Sequence, residues 1–525
     1  MGYVILYHYF GKMKSIILLF QEINDKRTVI NMPDLTGVQI IWHYITVVAE
    51  WVMNNLFILN ALLAIAIVFF QRRDPKTVWT WLLVLYFIPI AGFVLYLLLG
   101  QNMHKRKMFR MKEMEDSLNS QIQKQEEVIF RNEFSLSDKL LESYHDLVLY
   151  NLEALQAAYS EDNEVTVYTD GNEKFDALIE AIDQAEKFIH IQYYIIKKDI
   201  VFERIVKHLL KKVEEGVEVR VLCDGMGGRS VKSSYWKQLE KQGIHTAIFF
   251  PALLKRLHLR INYRNHRKIV VIDGKTAFVG GFNIGKEYIG LDKKFGYWRD
   301  THLKIEGSAV SQLQIRFILD WNYAAKDDLF SQEGYFPEIK GKGSTGVQII
   351  SSGPDSRSQE IRDNYLRLIS KAKNTIYIQT PYFIPDESVM TALRIAAMSG
   401  VDVRLMIPCK PDHPFVYWAT YSFVGELLEA GVKCYTYDNG FLHAKGLMVD
   451  GLVASYGTAN MDMRSFYLNF EVNAVLYSSE LTRQLEDIFL KDLGKSTEIT
   501  PYDYSQRSLY IRLKEQVSRL LSPLL

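Results

Sequence analysis

Two long apolar runs, Trp51 to Phe70 and Val78 to Leu99, dominate the first hundred residues. Each has about the 20 residues that a helix needs to cross a bilayer. The seven residues between them, QRRDPKT, form a short polar turn. The pattern therefore predicts a transmembrane helix hairpin within residues 38–112, with its second helix kinked at Pro89 and Gly92. A buried helix pair in a soluble core is the competing account, and the lengths and flanks favour spanning helices. Arg72, Arg73 and Lys76 occupy the turn, whereas Lys105, Arg106, Lys107, Arg110 and Lys112 follow the second helix. The larger basic group favours a cytoplasmic location for what comes after it. Residues 1–37 are an extension in which Lys12 and Lys14 break the apolar pattern and no cleavage site follows, so no signal peptide is expected. Met32 is an alternative initiator.

Beyond the hairpin the pattern changes. Residues 113–160 are charged with helical periodicity and read as a linker. Thereafter the chain alternates amphipathic helices with short buried strands, and it does so twice. The first half, residues 161–330, carries FDALIEAIDQAEKFIHIQYYII, EEGVEVRVLCDGMGG and GIHTAIFF. The second half, residues 347–500, carries YLRLISKAKNTIYIQTPYFI, MSGVDVRLMIPCK and GVKCYTY, after a polar Gly-rich linker at 331–346. Such alternation predicts an α/β fold built from two duplicated halves, each a helix-flanked sheet. Residues 501–525 close the chain with an amphipathic helix, in which Leu509, Leu513, Val517, Leu520, Leu521 and Leu524 share one face. Docking on the protein and lying in a membrane interface are equally open for it.

Each half ends in a version of one eighteen-residue stretch: HRKIVVIDGKTAFVGGFN from His266 to Asn283, and HAKGLMVDGLVASYGTAN from His443 to Asn460. Both place Lys two residues after His, Asp at seven, a Gly pair or Gly-Thr at fourteen and fifteen, and Asn at seventeen. His and Lys two apart share one face of an extended strand, so both can meet one phosphate from one side. The apolar run after each Lys is a buried strand, and Asp-Gly at 273–274 and 450–451 is a tight turn into a return strand. That return brings Asn283 or Asn460 back beside the His and Lys. Neither copy carries further ligands at metal spacing, so no metal and no cofactor is expected.

The doubled pattern H-x-K-x4-D-x6-G-[GST]-x-N resembles the signature of the phospholipase D superfamily. The words VGGFNIGKEYIG, YWRDTHLKIEG and NFEVN resemble bacterial cardiolipin synthases in particular. The resemblance covers roughly residues 50 to 525. It implies a phosphatidyltransferase joining two phosphatidylglycerols into cardiolipin with release of glycerol, through a phosphatidyl-histidine. It assigns His266, Lys268, Asp273, His443, Lys445 and Asp450 to catalysis and Asn283 and Asn460 to the phosphate, with structural anchoring at the turn the competing account of Asp273 and Asp450. It also assigns Asp300 and Glu471, at the start of the strand after each motif, to orienting the histidines, with a surface or structural role the competing account. His266 is favoured as nucleophile and His443 as acid then base. Lys255, Arg256 and Arg260, in FFPALLKRLHLRINYR, and the aromatic stretch HPFVYWATYSF at 413–423 are candidate lipid contacts, with core packing the competing account of many of these aromatics.

Charge and cysteine content narrow the alternatives. A net charge of +1 on 525 residues argues against a general nucleic-acid binder. Three scattered cysteines, Cys223, Cys409 and Cys434, make neither a disulfide framework nor a zinc site. The expected partners are phosphatidylglycerol and anionic membrane lipids, at the cell membrane. A hydrolytic phospholipase D, a phosphatidylserine synthase or a nuclease would share the motif residues, and a non-catalytic membrane scaffold would not need two intact motifs.

Overall fold

The computed structural model describes residues 46–47, 50–51, 53–70, 75–99, 136, 138–251, 262–330, 334–339, 341, 343–356 and 358–522. Four sequence-based expectations lie wholly or mainly outside these residues. They are the extension 1–37, the first part of the linker (residues 113–135), the basic residues after the apolar runs, and the loop carrying Lys255, Arg256 and Arg260. The described residues fall into two units, one within residues 1–100 and one within 101–525.

The smaller unit holds helices Leu56–Phe70, Pro75–Phe87 and Pro89–Leu99. The second apolar run is thus interrupted at Ile88, where proline lacks the N–H that would have reached the carbonyl of Leu85. The buried side chain of Asn60 takes over, donating to the carbonyls of Leu85 (3.3 Å) and Pro89 (3.2 Å). Ile67, Trp81, Leu85 and Tyr96 form a small core beside this break. Phe57, Trp79, Tyr86 and Phe87 point outward. Among the described residues no helix is long and apolar enough to cross a membrane.

The larger unit shows the duplication directly. In the first half, strands Phe188–Tyr193, Glu218–Asp224 and Ile244–Phe249 run parallel, connected by helices Ile200–Glu214 and Ser233–Lys241. In the second, Thr375–Gln379, Asp402–Pro408 and Lys433–Tyr437 do the same, connected by Glu387–Met398 and Pro414–Glu429. The motif hairpins, Ile269–Ile272 with Thr276–Gly280 and Gly446–Val449 with Val453–Gly457, add antiparallel to these. Two further antiparallel strands per half, the edge strand Ser496–Ile499 of the second half and the short strand Arg264–Asn265 of the first complete the set. Tyr159–Tyr168 and Thr345–Ser352, one from each half, pair with each other and fuse everything into one sixteen-stranded sheet.

Three apolar cores follow from this topology. One lies on the outer face of each half. The third is shared: Ile269, Val271, Leu303 and Phe317 of the first half cluster with Met448, Val472, Ala474 and Phe489 of the second. Residues 138–157, read from the sequence as the end of the linker, belong to the second half. Leu147, Val148 and Leu155 are buried in its core, and Asn151 donates to Gln348 and Tyr477.

Both motif hairpins turn on consecutive left-handed residues, Asp273 (φ 53°) with Gly274 (φ 67°) and Asp450 (φ 53°) with Gly451 (φ 64°). This is the φ pattern of the Asp-Gly hairpin turn. Each Asp side chain does a second job. Asp273 accepts the backbone N–H groups of Glu186, Lys187 and Phe188 at 2.8, 2.8 and 2.9 Å. Asp450 accepts those of Lys373, Asn374 and Thr375 at 2.9, 2.7 and 2.8 Å. Each thus ties the motif turn to the entry of the first strand of its half. Replacing Asp273 by Ala orphans three donors in a partly buried loop, at a cost of about 3 kcal/mol or more. Thermal unfolding of the purified D273A variant should show that loss and that of D450A a smaller one, because two of the three N–H groups on Asp450 are exposed to water, while activity below the melting transition falls much less than in histidine variants.

Candidate active site

The two motif histidines are placed by short strands that cross the seam between the halves. Arg264–Asn265 pairs in parallel with Asn469–Phe470, and Phe441–Leu442 pairs in parallel with Trp298–Arg299. The main-chain N–H of His266 accordingly donates to the carbonyl of Phe470 (2.9 Å), and that of His443 to the carbonyl of Arg299 (2.7 Å). One residue further along each partner stands a carboxylate. His266 Nδ1 lies 2.9 and 3.0 Å from the two oxygens of Glu471, and His443 Nδ1 lies 2.5 Å from Asp300 Oδ2. The pairing is crossed: each half orients the histidine of the other.

A carboxylate on Nδ1 favours the tautomer that leaves Nε2 as the ring atom with a lone pair for chemistry, and at His443 the Lys445 ammonium lies 2.9 Å from the same Nδ1. Burial, with the Lys268 ammonium, lowers the His266 ring to about 4 even though Glu471 pulls it upward. His443 is lowered by burial and by Lys445, against Asp300. Burial raises both carboxylates, but Lys445 and His443 outweigh it at Asp300, as His266 and Lys268 do at Glu471, so both end below their ordinary range. Neutral rings donating to ionised carboxylates is therefore the resting state.

The lysines fold back over their own motif. Lys268 Nζ donates to the carbonyl of His266 (2.6 Å) and Lys445 Nζ to that of His443 (2.5 Å). Burial lowers Lys268 to about 7 and Lys445 to about 8. With neutral rings, two ammonium groups face two carboxylates, so the fully charged set sums to zero. A phosphodiester anion entering between them stabilises every cationic form, and a histidine that is neutral in the empty site gains a proton more readily once it is filled.

The side chains of Asn283 and Asn460 are partly committed. Asn283 accepts from the Ile195 N–H (3.0 Å) and donates to the Tyr288 hydroxyl (3.2 Å). Asn460 donates to Asp462 (3.0 Å), whose carboxyl burial raises to about 6. Each amide keeps a second N–H. Asp273 and Asp450, which the resemblance groups with catalysis, stand apart. Four extended residues separate each from its Lys, so the two stand roughly 16 Å apart along the strand, and their oxygens are occupied by backbone N–H groups at the turn. They anchor the scaffold and do not reach the histidines.

Of the residues that support the pair, Thr458 and Gly281 lie within the motif, whereas Ser465, Asn469, Arg267 and Arg299 were not singled out from the sequence. Thr458 Oγ1 (2.5 Å), Ser465 Oγ (2.9 Å) and Asn469 Nδ2 (3.2 Å) donate to Glu471. Asp300 accepts the Thr301 N–H (2.8 Å), and where the second motif has Thr458 the first has Gly281. A Cβ at Gly281 would sit 1.9 Å from Asp300 Oδ1. Two arginines then hold the carbonyls of the orienting residues themselves. Arg267 donates to the Glu471 carbonyl (3.1 Å) and is anchored on Asp320 (2.7 Å). Arg299 donates to the Asp300 carbonyl and is anchored on Asp492 (2.8 Å). Arg267 directly follows His266 and Arg299 directly precedes Asp300, so a buried arginine beside a motif residue was the available signal. Rings flank each histidine, Tyr194 at 5.0 Å from His266 and Trp298 at 5.2 Å from His443. In HPFVYWATYSF, Phe423 is buried and Phe415 is exposed.

A duplicated α/β fold with paired His-x-Lys strands at its seam is the architecture of the phospholipase D superfamily. The family described as cardiolipin synthase, phospholipase D-like domain, matches residues 178–321 and 365–493, and a phospholipase D-nuclease N-terminal family matches 58–101. A cardiolipin synthase from Oceanobacillus iheyensis is 51% identical over 470 residues, 89% of this chain and 98% of the relative. The major cardiolipin synthase of Bacillus subtilis is 48% identical over 480 residues, 91% of this chain and all of the relative. In fold, the chain resembles the crystal structure of phosphatidylserine synthase from Haemophilus influenzae. That match has a TM-score of 0.54 and 17% identity, covering 69% of this chain and 95% of that one. The chain belongs to the cardiolipin synthase family of the phospholipase D superfamily.

Two predictions follow from the geometry. Gly281→Ala should displace Asp300 from His443 and lower turnover roughly 10²-fold, whereas Thr458→Ala, which removes one donor to Glu471, should lower it about tenfold. Steady-state assays, with near-ultraviolet circular dichroism to show retained packing, distinguish the two. The second prediction concerns pH. His266 binds its proton at about 4 in the folded chain and about 6.5 when unfolded, so between these values the unfolded state holds more protons. Stability should then rise with pH across that window and fall on acidification through it. Urea midpoints should show this slope, and His266→Gln should flatten it.

Proposed function

We propose that the chain is a cardiolipin synthase acting on phosphatidylglycerol at a bilayer. The observation that carries the reading is the crossed pair of carboxylate-held histidines, which supplies a nucleophile and an acid/base to one phosphorus, within a chain about half identical to cardiolipin synthases. His266 Nε2 attacks the phosphorus of the first phosphatidylglycerol, and the P–O bond to the head-group glycerol breaks. His443, protonated once the anion is bound, gives that glycerol its proton. The neutral His443 then takes the proton from a hydroxyl of the second phosphatidylglycerol, whose oxygen attacks the phosphatidyl-histidine. Cardiolipin forms and His266 is freed. Lys268, Lys445 and the spare N–H groups of Asn283 and Asn460 bind the non-bridging oxygens and stabilise the charge that develops there. Asp300 and Glu471 stabilise each imidazolium in turn.

Residues Trp51 to Phe70 and Val78 to Leu99 are read as a membrane hairpin. Helices Pro75–Phe87 and Pro89–Leu99, taken end to end, rise about 37 Å, enough for a core of about 30 Å. The outward-facing Phe57, Trp79, Tyr86 and Phe87 suit lipid contact. The cluster from Lys105 to Lys112 supports a cytoplasmic side for the catalytic halves.

Purified protein given phosphatidylglycerol in detergent micelles should produce cardiolipin and free glycerol, resolved by thin-layer chromatography. Labelled glycerol, added in excess, should enter phosphatidylglycerol, because the bonds broken and made are equivalent. His266→Ala and His443→Ala should each lower turnover by about 10³-fold or more. Accumulation of phosphatidic acid with no exchange of glycerol would identify a hydrolase instead.

A further inference from the structure

The C-terminal helix Leu509–Leu520 rests on the protein by its polar side. Glu515 and Ser518 are 1% and 2% exposed, and Glu515 is paired with Arg507 at 2.9 Å. Arg519 forms an ion pair with Glu426 and reaches the Ser422 carbonyl (3.3 Å), and Lys514 Nζ lies 5.2 Å from the Trp418 ring. The apolar side is left outside. Leu509 and Leu520 are each 82% exposed, Leu513 61% and Val517 45%. Single exposed leucines are ordinary, but four apolar residues in line along one helix face mark an interaction surface.

The helix beneath this stripe, Pro414–Glu429, is connected to the catalytic centre by short steps. Its Thr420 hydroxyl accepts the N–H of Phe383 (3.1 Å). Phe383–Ile384 pairs with Met461–Asp462, directly after Asn460. Phe415, on the first turn of the same helix, is exposed as well. The stripe therefore belongs to the same packed body as the site, and whatever it touches fixes the height of the histidines relative to that surface. Arg512, exposed on the helix beside the stripe, complements an anionic surface.

We propose that Leu509, Leu513, Val517 and Leu520 lie in the head-group and acyl boundary of an anionic phospholipid bilayer, docking the catalytic body on the membrane independently of the N-terminal helices. The choice of a lipid occupant rests on the lipid-substrate reading above: acyl chains must remain in the bilayer while the phosphorus reaches the histidines. A helix with a polar inner side and an apolar outer side suits that position.

The test uses the full chain in vesicles of phosphatidylglycerol and phosphatidylcholine, recovered by flotation. Leu513→Cys, in a Cys409→Ala background, is labelled with an environment-sensitive fluorophore. Its emission should shift to the blue and be quenched by lipids carrying a nitroxide near the head group. A label that stays unquenched overturns the proposal. So does self-quenching that grows with protein density without nitroxide quenching, which would assign the stripe to a second copy of the chain. Leu513→Asp with Leu520→Asp should lower turnover of vesicle phosphatidylglycerol by about tenfold, while turnover of a short-chain phosphatidylglycerol dissolved as monomers stays at the parental rate. Equal losses in both assays would count against docking. Absence of cardiolipin in either assay, with the label still quenched, would instead overturn the synthase reading alone.

Discussion

The crossed hydrogen bonds from His266 to Glu471 and from His443 to Asp300 are the constraint on which the rest of the larger unit depends. A buried carboxylate is tolerated only when cations and donors surround it. Thr458, Ser465 and Asn469 serve Glu471 and the Thr301 N–H serves Asp300 from within their own halves, but the histidine on each carboxylate comes from the opposite half, so neither half completes its own acidic site alone. The short parallel strand pairs, the two carbonyl-bound arginines and the shared apolar core all hold the two polypeptide regions at the separation these bonds require. Folding and assembly of the site are consequently one event.

The twofold relation between the halves is close in backbone and relaxed in side chains. A glutamate with three side-chain donors beside the histidine ring serves one histidine, and a shorter aspartate packed against Gly281 serves the other. The buried acids Asp320 and Asp492 close their halves from corresponding helices, yet the arginines they anchor, Arg267 and Arg299, come from different places relative to the motif. Unequal surroundings are what two histidines need if one is to attack phosphorus while the other moves protons. A symmetric site would give them the same affinity for a proton and the same reach.

Much of this was legible in the sequence because it is local. The spacing of His266 and Lys268, the Asp-Gly turn and the alternation of helix and strand depend on neighbours within a few residues, and the structure displays them as expected. Asp300 and Glu471 were reached only through family resemblance, and that each serves the opposite half's histidine has no local signature at all. Asp273 and Asp450 show the reverse case. Their place within the motif suggests chemistry and their place at the turn suggests anchoring, and the sequence alone does not show the backbone N–H groups that each carboxylate collects. The break at Ile88 was foreseen from Pro89, whereas its repair by Asn60 on another helix was not. At the C-terminus, periodicity identified the apolar face of the last helix, but only packing could decide that this face is turned outward.

The strands that fuse the two halves, Tyr159–Tyr168 and Thr345–Ser352, pair antiparallel. Antiparallel pairing is a contact that two identical strands can make about a twofold axis. The same architecture could therefore be met by two separate copies of a single half, each lending its carboxylate to the other's histidine. In such a dimer every substitution would appear on both sides of the phosphorus at once. Joining the copies in one gene removes that coupling, so that a glycine can be kept at 281 while a threonine is kept at 458. The seam is thus the place where a shared ancestry of the halves became a division of labour, with each lineage free to specialise so long as its partner travels on the same chain.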